Sequence, residues 1–556
     1  MTLPVPLNAA VFVWDPAQDQ TGSGGAGTWD LSTPGWLSGG ADDVWTNVSD
    51  DTAAFQGTGG QVTLAAGITA GGLSFDAPGY TLVSNGSPQV LTLGAGGIGV
   101  GASSGTITIG DSNLTLALGA AASFTNSSSG LLSIVGSLSN GGNLLTLGNT
   151  SSGGMTISGG ISGTGGLTVN SPGAGIVTLS GINSYTGATS ILAGTLKAGN
   201  AYALSSGSAL SLANVAGATL DLNGFNQSVG SLSGGGALGG NVVLGSGAVL
   251  TLGGALTSVV GGYSVNTNIA NSSSWNTFAG LLSGSGSIAI TGGGVVYLTN
   301  NNNSYTGFTN VLGGTLIVSN MGQLGASTTT INVAGVNSSL AGGALVVQGG
   351  TTGINFTRNL GVSGYGISGA NNSAGYALVN IGNNNYSGIF TSAANSETRV
   401  GSVAGTMTFT SASTVNVAGG VHLMVNGYGN FLFNGFVTGG AVSTLSFYRW
   451  SGGGLLGQVT LANPYNNFLG AVDVTGSFLR VYSPGALGAA VDIRSIQSYA
   501  GTYELRVDPG NTDFSKKTIA YINASGSAIY AGRAAGGVGI NQTVTFGGAS
   551  VNGVVS

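Results

Sequence analysis

Four aspartates, Asp42, Asp43, Asp50 and Asp51, fall close around Trp45. Two carboxylates beside an aromatic ring could cleave a glycan. One acid would protonate the leaving oxygen, the other would attack or activate water, and the ring would stack on the sugar. The same residues also make a solvated polar cap over a buried tryptophan, which is the preferred reading. His422 is the only histidine, so a Ser-His-Asp triad would have to use it. It stands in the alternating run "GGVHLMVNG" with no motif around it, and reads as a structural or exposed side chain. In "DPGNTD", Asp508, Asn511 and Asp513 offer oxygen ligands. Calcium takes about six to eight oxygens, and the spacing matches neither the EF-hand nor the nonapeptide of calcium β-rolls. A plain turn is expected. Runs such as "GSGGAGTW" lack the Gly-Lys-Ser/Thr ending of a phosphate loop. No catalytic, cofactor-binding or metal-ligating residue is assigned, and the chain is not read as an enzyme.

The placement of charge supports that choice. Neither 112–196 nor 222–357 contains an Asp, Glu, Lys, Arg or His. A carboxylate groove running over adjacent turns of structure has nothing to draw on there. Only 5% of the 556 residues are charged, against about 25% in an ordinary globular protein. Yet 42% are hydrophobic, so the chain can bury a core and is not a disordered polar tract. The ten basic residues do not cluster, which argues against nucleic acid or an anionic membrane surface as partner. There is no Cys, hence no disulfide framework and no thiolate metal site. No run of eighteen apolar residues exists to form a spanning helix, so no membrane insertion is expected. The opening "MTLPVPLNAAVFVWDPAQD" lacks a basic region and does not read as a secretory signal.

Periodicity identifies the elements that must carry these residues. "GTITIGDSNLTLALG", "GGMTISGGISGTGGLTVN" and "GATLDLNG" alternate apolar with small polar residues. That is the period of short strands, each closed by Gly, Asn or Ser. No helical stripe occurs, and no Asn-Gly hairpin with long flanking strands. Short strands turning every few residues over hundreds of residues predict a parallel β-helix of roughly 20–25 residues per coil. Gly and Asn take the bends, where φ is positive or a side chain must bond the backbone. The Asn runs at "NNNNS" and "NNNYSG" are expected to stack as amide ladders.

A long repeat overlies this pattern. "SYTGATSILAGTLKAGN" from Ser184 and "SYTGFTNVLGGTLIVSN" from Ser304 share ten of seventeen positions. Tyr185 and Tyr305 should occupy equivalent bends, each followed by an inward leucine, Leu196 and Leu316. Degenerate copies follow at 383–392, with Tyr386 and Gly388, and at 459–484, with Phe468 and Gly470. Residues 1–60 hold four of the six Trp and seven of the sixteen acids, and are expected to cap the first coil. Residues 61–556 are then the β-helix, with repeats near 177–200, 296–320, 383–392 and 459–484.

"VTLSGINSYTGATSILAGTLKAGN" from Val177 resembles the passenger-associated transport repeat of bacterial autotransporters: a strand, a Tyr-Thr-Gly turn, then a Gly-Thr-Leu strand. "GATLDLNGFNQSVGSLSGGG" is similar to the segment that follows it in that family. The resemblance implies a right-handed parallel β-helix displayed outside the cell, and it brings no catalytic residue with it. The tail "QTVTFGGASVNGVVS" does not read as the strands of a membrane barrel.

The expectation is an all-β, right-handed parallel β-helix with a Trp-rich N-terminal cap. It would be a structural, extracellular or cell-surface fibre or sheath subunit that associates with copies of itself, pairing through 543–556. An adhesin or phage receptor-binding fibre that touches surface glycans is the alternative, and a polysaccharide-active enzyme ranks third. No cofactor is expected.

Overall fold

The computed structural model describes residues 9–253, 276–326, 328–334, 342–366, 375–392, 397–448, 457–475, 478–482, 484–488, 492–495 and 518–521. Among these the chain is built from short strands, with two single 3-10 turns at Met321–Leu324 and Pro484–Leu487. From Thr52–Phe55 onward the paired strands run parallel and wind a solenoid. The chain forms two compact units, Met1–Gly254 with Thr277–Ser287, and Ala255–Asn276 with Ile288–Ser556.

In the first unit, alternation becomes two kinds of column. Ile107 pairs with Leu132, Leu132 with Met155, Met155 with Val177, Val177 with Leu196, and Leu196 with Leu220. Each coil on this face takes 19 to 25 residues. All six side chains are buried and form one apolar stack inside the coil. Their neighbours Thr108, Ser133, Thr156 and Thr178 form a half-buried column on the opposite face of the same strands. Period two thus sends Val, Ile, Leu and Met inward and Thr and Ser outward. At one corner Gly105, Gly130, Gly153 and Gly175 lie on one another. A Cβ on any of the last three would collide with the backbone of the glycine below.

The first coil departs from the parallel rule. Trp36–Ser38 and Ala41–Asp43 form a small antiparallel hairpin, and Trp36–Ser38 also runs antiparallel to Val11–Trp14. The hairpin turns at Gly39 and Gly40, whose φ values are +59° and +87°. A tight two-residue hairpin turn needs positive φ at both positions. Search for Asn-Gly flanked by long strands misses a Gly-Gly turn flanked by strands of three residues. Trp14, Trp29, Trp36 and Trp45 pack together with centroids 4.8–5.1 Å apart, three of the pairs edge to face and Trp36 tilted on Trp45. All four are buried, and Phe55 stacks on Phe75 at 4.8 Å to continue the cluster.

The second unit follows the same logic with longer coils. Leu316 pairs with Leu345, Leu345 with Leu378, Leu378 with Val400 and Val400 with Val425, so a coil takes 22 to 33 residues. Another inward column is aromatic: Phe356, Tyr386, Phe409 and Phe433, with centroids 5.5, 5.6 and 4.9 Å apart. One sheet is buried on both faces, because Tyr376, Val379 and Val403 join Val295, Ile317 and Val346 in a second apolar cluster. The Tyr376 ring lies where a Cβ on Gly401 would be, so glycine is needed beneath it. The Asn runs make amide pairs, Asn385 to Asn355 at 2.9 Å and Gln323 to Asn301 at 3.0 Å, in place of long ladders.

Candidate functional site

The repeated phrase builds a buried polar hinge. Tyr185 and Tyr305 are each fully buried in a bend between strands. The Tyr185 and Thr189 hydroxyls are 2.7 Å apart, and those of Tyr305 and Thr309 are 2.8 Å apart. Two residues before each tyrosine, a buried Asn reaches to the following coil. Asn183 Nδ2 donates to the Ala203 carbonyl at 2.6 Å and Asn303 Nδ2 to that of Gln323 at 2.8 Å. Leu196 and Leu316 are buried, as the phrase predicts. Burial pushes the Tyr185 hydroxyl up to about 12. Tyr305 is raised for the same reason, opposed by Thr309 and by the Arg358 guanidinium beside it.

The degenerate copies divide. Phe468 keeps the hinge: Asn466 Nδ2 donates to the Ala486 carbonyl at 2.7 Å, and its Oδ1 accepts from Val437 N at 2.8 Å. Where Thr189 and Thr309 bond a tyrosine, the third copy has buried Val472, so hydroxyl and partner are lost together. A turn leucine closes each copy, nineteen residues after the aromatic: Leu204, Leu324 and Leu487. Tyr386 is set differently. It belongs to the strand Asn384–Tyr386 and stacks in the aromatic column. Its place nineteen residues on is Gly405.

The acids around Trp45 serve the chain itself. Asp51 is buried; its Oδ1 accepts from Ala10 N at 2.9 Å and its Oδ2 from the Thr46 hydroxyl. Asp42 and Asp43 lie on the outermost strand of the hairpin, and Asp50 is exposed. Trp45 is 2% exposed, donates Nε1 to Thr69 O at 2.9 Å, and has no face open for a sugar. The acid-and-aromatic patch is therefore a packed loop.

His422 lies at the centre of a cross-coil polar chain. Its Nε2 is 2.5 Å from Ser446 Oγ, and its Nδ1 is 3.8 Å from Glu397 Oε2. Ser446 Oγ in turn lies 3.4 Å from Asp473 Oδ2, and Glu397 also bonds Arg399 Nε at 2.5 Å. The order acid, histidine, serine matches that of a hydrolytic triad. Ser446, however, is 4% exposed and shares its hydroxyl between His422 and Asp473. A nucleophile needs room for a carbonyl and its proton aimed at the base. As a set of bonds across the strands Glu397–Ala404, His422–Gly427, Thr444–Tyr448 and Ala471–Thr475, the arrangement holds four coils together. Asp508, Asn511 and Asp513 lie outside the described residues, as does 543–556.

Sequence reasoning passed over Arg358, the first charge after the long neutral stretch. It is 7% exposed, donating Nη1 to Leu324 O at 2.6 Å and Nη2 to Thr329 O at 3.1 Å. It borders a cleft of about 490 Å³ lined also by Met321, Gly322, Ala326, Thr328 and Asn359. Neither charge alternation nor a motif marks it; its one signal was isolation.

The passenger-associated transport repeat family matches residues 173–198 and 291–318, the two hinges with tyrosine. The chain is also 36% identical over 178 residues to the Adhesin BmaC autotransporter of Brucella suis biovar 1 (strain 1330). That alignment covers 32% of this chain and 4% of that protein, so the chain spans a small part of its relative's length. No solved structure matches the chain.

Proposed function

We propose that this chain, which carries two passenger-associated transport repeats on a parallel β-solenoid, is part of a surface-displayed bacterial passenger that works by contact. The carrying observation is the coincidence of the matched repeats with the buried hinges at Tyr185 and Tyr305. The segment that the family matches is here a way of turning one coil into the next. An adhesive role is supported by the likeness to an autotransporter adhesin. A role without turnover is supported by the placement of the acids. Asp51 is spent on Ala10 and Thr46, and Ser446 is enclosed between His422 and Asp473.

The test is display. The chain, fused to an outer-membrane anchor on a non-adherent bacterium, should make the cells bind epithelial monolayers or immobilised glycans. Cells in which the chain is exposed to antibody yet binds no more than the anchor alone would refute the reading. A second reading, lateral association of copies, is favoured by the column Thr108, Ser133, Thr156 and Thr178. Its short neutral side chains bring no like-charge repulsion between neighbouring molecules. Sedimentation at rising concentration separates the two: adhesion needs no self-association, and a sheath does.

A further inference from the structure

The two tyrosine hinges close their last turn with different side chains. In the first, the neutral Gln227 reaches from the next coil: its Oε1 accepts from Leu204 N at 3.0 Å and its Nε2 donates to Asn200 O at 2.6 Å. In the second, Arg358 bonds the carbonyl of Leu324, the leucine equivalent to Leu204. The two side chains serve different groups of the turn, Gln227 the amide of its leucine and Arg358 the carbonyl, and only the second brings a charge. Burial of an ion costs several kcal/mol unless a partner repays it. Among the described residues no carboxylate pairs with Arg358, and the preceding 136 residues contain none at all. Its Nε is buried without an acceptor.

The charge borders open space. The adjoining cleft, about 490 Å³, is larger than an inorganic ion requires and suits one or two sugar rings. Thr328, Thr357 and Asn359 supply hydroxyl and amide groups of the kind that meet ring hydroxyls. Met321 and Ala326 supply apolar atoms for the C–H face. A guanidinium carries five N–H donors, of which the Leu324 and Thr329 carbonyls take two, Tyr305 a third, and the buried Nε holds a fourth, which leaves one Nη N–H and the charge for a ligand oxygen. That N–H and the positive charge together suit one oxygen of a carboxylate.

We infer that the cleft beside Arg358 binds the carboxylate of an acidic sugar, the hexuronate or sialate class. This rests on the adhesive reading and assigns it a site within the second repeat. The tests use the purified full chain and three probes: a glucuronate-containing trisaccharide, its neutral glucose counterpart and inorganic sulfate, titrated by calorimetry. The uronate should bind saturably, and the other two at least tenfold more weakly. Arg358→Gln removes the charge and should weaken uronate binding at least tenfold; it also takes the donors from the Leu324 and Thr329 carbonyls, so its thermal midpoint should fall and binding is compared well below that midpoint. Arg358→Lys keeps the charge without the planar donor set and should fall between. Unchanged uronate binding in Arg358→Gln would overturn the assignment, as would sulfate binding as tightly as the uronate. Cells that display the chain and still adhere while uronate fails to bind would leave the adhesive reading standing and remove this site alone.

Discussion

Asn183 and Ala203, twenty residues apart, are joined by a hydrogen bond of 2.6 Å from the buried amide to the carbonyl of the next coil. The same bond joins Asn303 to Gln323 and Asn466 to Ala486, also twenty residues apart. Removing the amide strands a buried carbonyl. The expected cost of Asn183→Ala or Asn466→Ala is about 1–3 kcal/mol, read as a lower urea midpoint. Asn300→Ala, in an Asn run but outside the hinge pattern, should cost less than half of that.

The third hinge predicts a reciprocal pair. Phe468→Tyr would place a hydroxyl beside buried Val472, with no acceptor like Thr189 or Thr309. A loss of about 1–3 kcal/mol is expected. Adding Val472→Thr should recover at least half of it, a coupling that only residues in contact show. Additive losses in the double mutant would mean that the third hinge is built differently.

Alkaline pH should weaken the solenoid in a defined window. The folded-state pKa of Tyr185, about 12, lies above that of the free side chain, about 10. Below the lower value both states are protonated and the shift has no effect. Between the two, the unfolded chain gives up the proton and the folded one does not. Stability therefore falls by about 1.4 kcal/mol per pH unit from this group and levels off above the folded value. Urea titrations at pH 9 to 12 should show a shallower decline in Tyr185→Phe than in the wild type.

The outer strand of the N-terminal hairpin, Ala41–Asp43, exposes an edge bearing Asp42 and Asp43. Charge on an edge strand discourages pairing with another chain. Asp42→Thr with Asp43→Thr should therefore raise the fraction of dimers and larger species in sedimentation at matched concentration. No change would show that this edge is protected by other means.

Much of this molecule could be read from its letters, for a physical reason. In a solenoid each strand meets its counterpart one coil away, so the period-two pattern of Ile107, Ile109, Leu114 and Leu116 already states which side chains face the core. The hinges at Tyr185 and Tyr305 were legible for the same reason, because equivalent bends reuse the same residues. What escaped depended on contacts between coils. Asn384–Tyr386 spells the hinge in sequence, yet Tyr386 follows Phe356 and Phe409 into the aromatic column, and only the leucine nineteen residues on separates the two outcomes. The hairpin at Gly39 and Gly40 is too short to show as alternation. The chain from Glu397 through His422 and Ser446 to Asp473 draws on four coils, and nothing local joins those residues. Arg358 meets Leu324 across thirty-four residues, beyond the reach of any motif.

The central claim is that the folded solenoid itself makes the adhesive contact. Adhesion of displaying cells, measured across a urea series beside the unfolding of the same displayed chain, tests it most directly. Adhesion should fall with the solenoid, at one midpoint, and return on dilution of the urea. Adhesion that persists on the unfolded chain, or that is absent while the solenoid is intact, would contradict it.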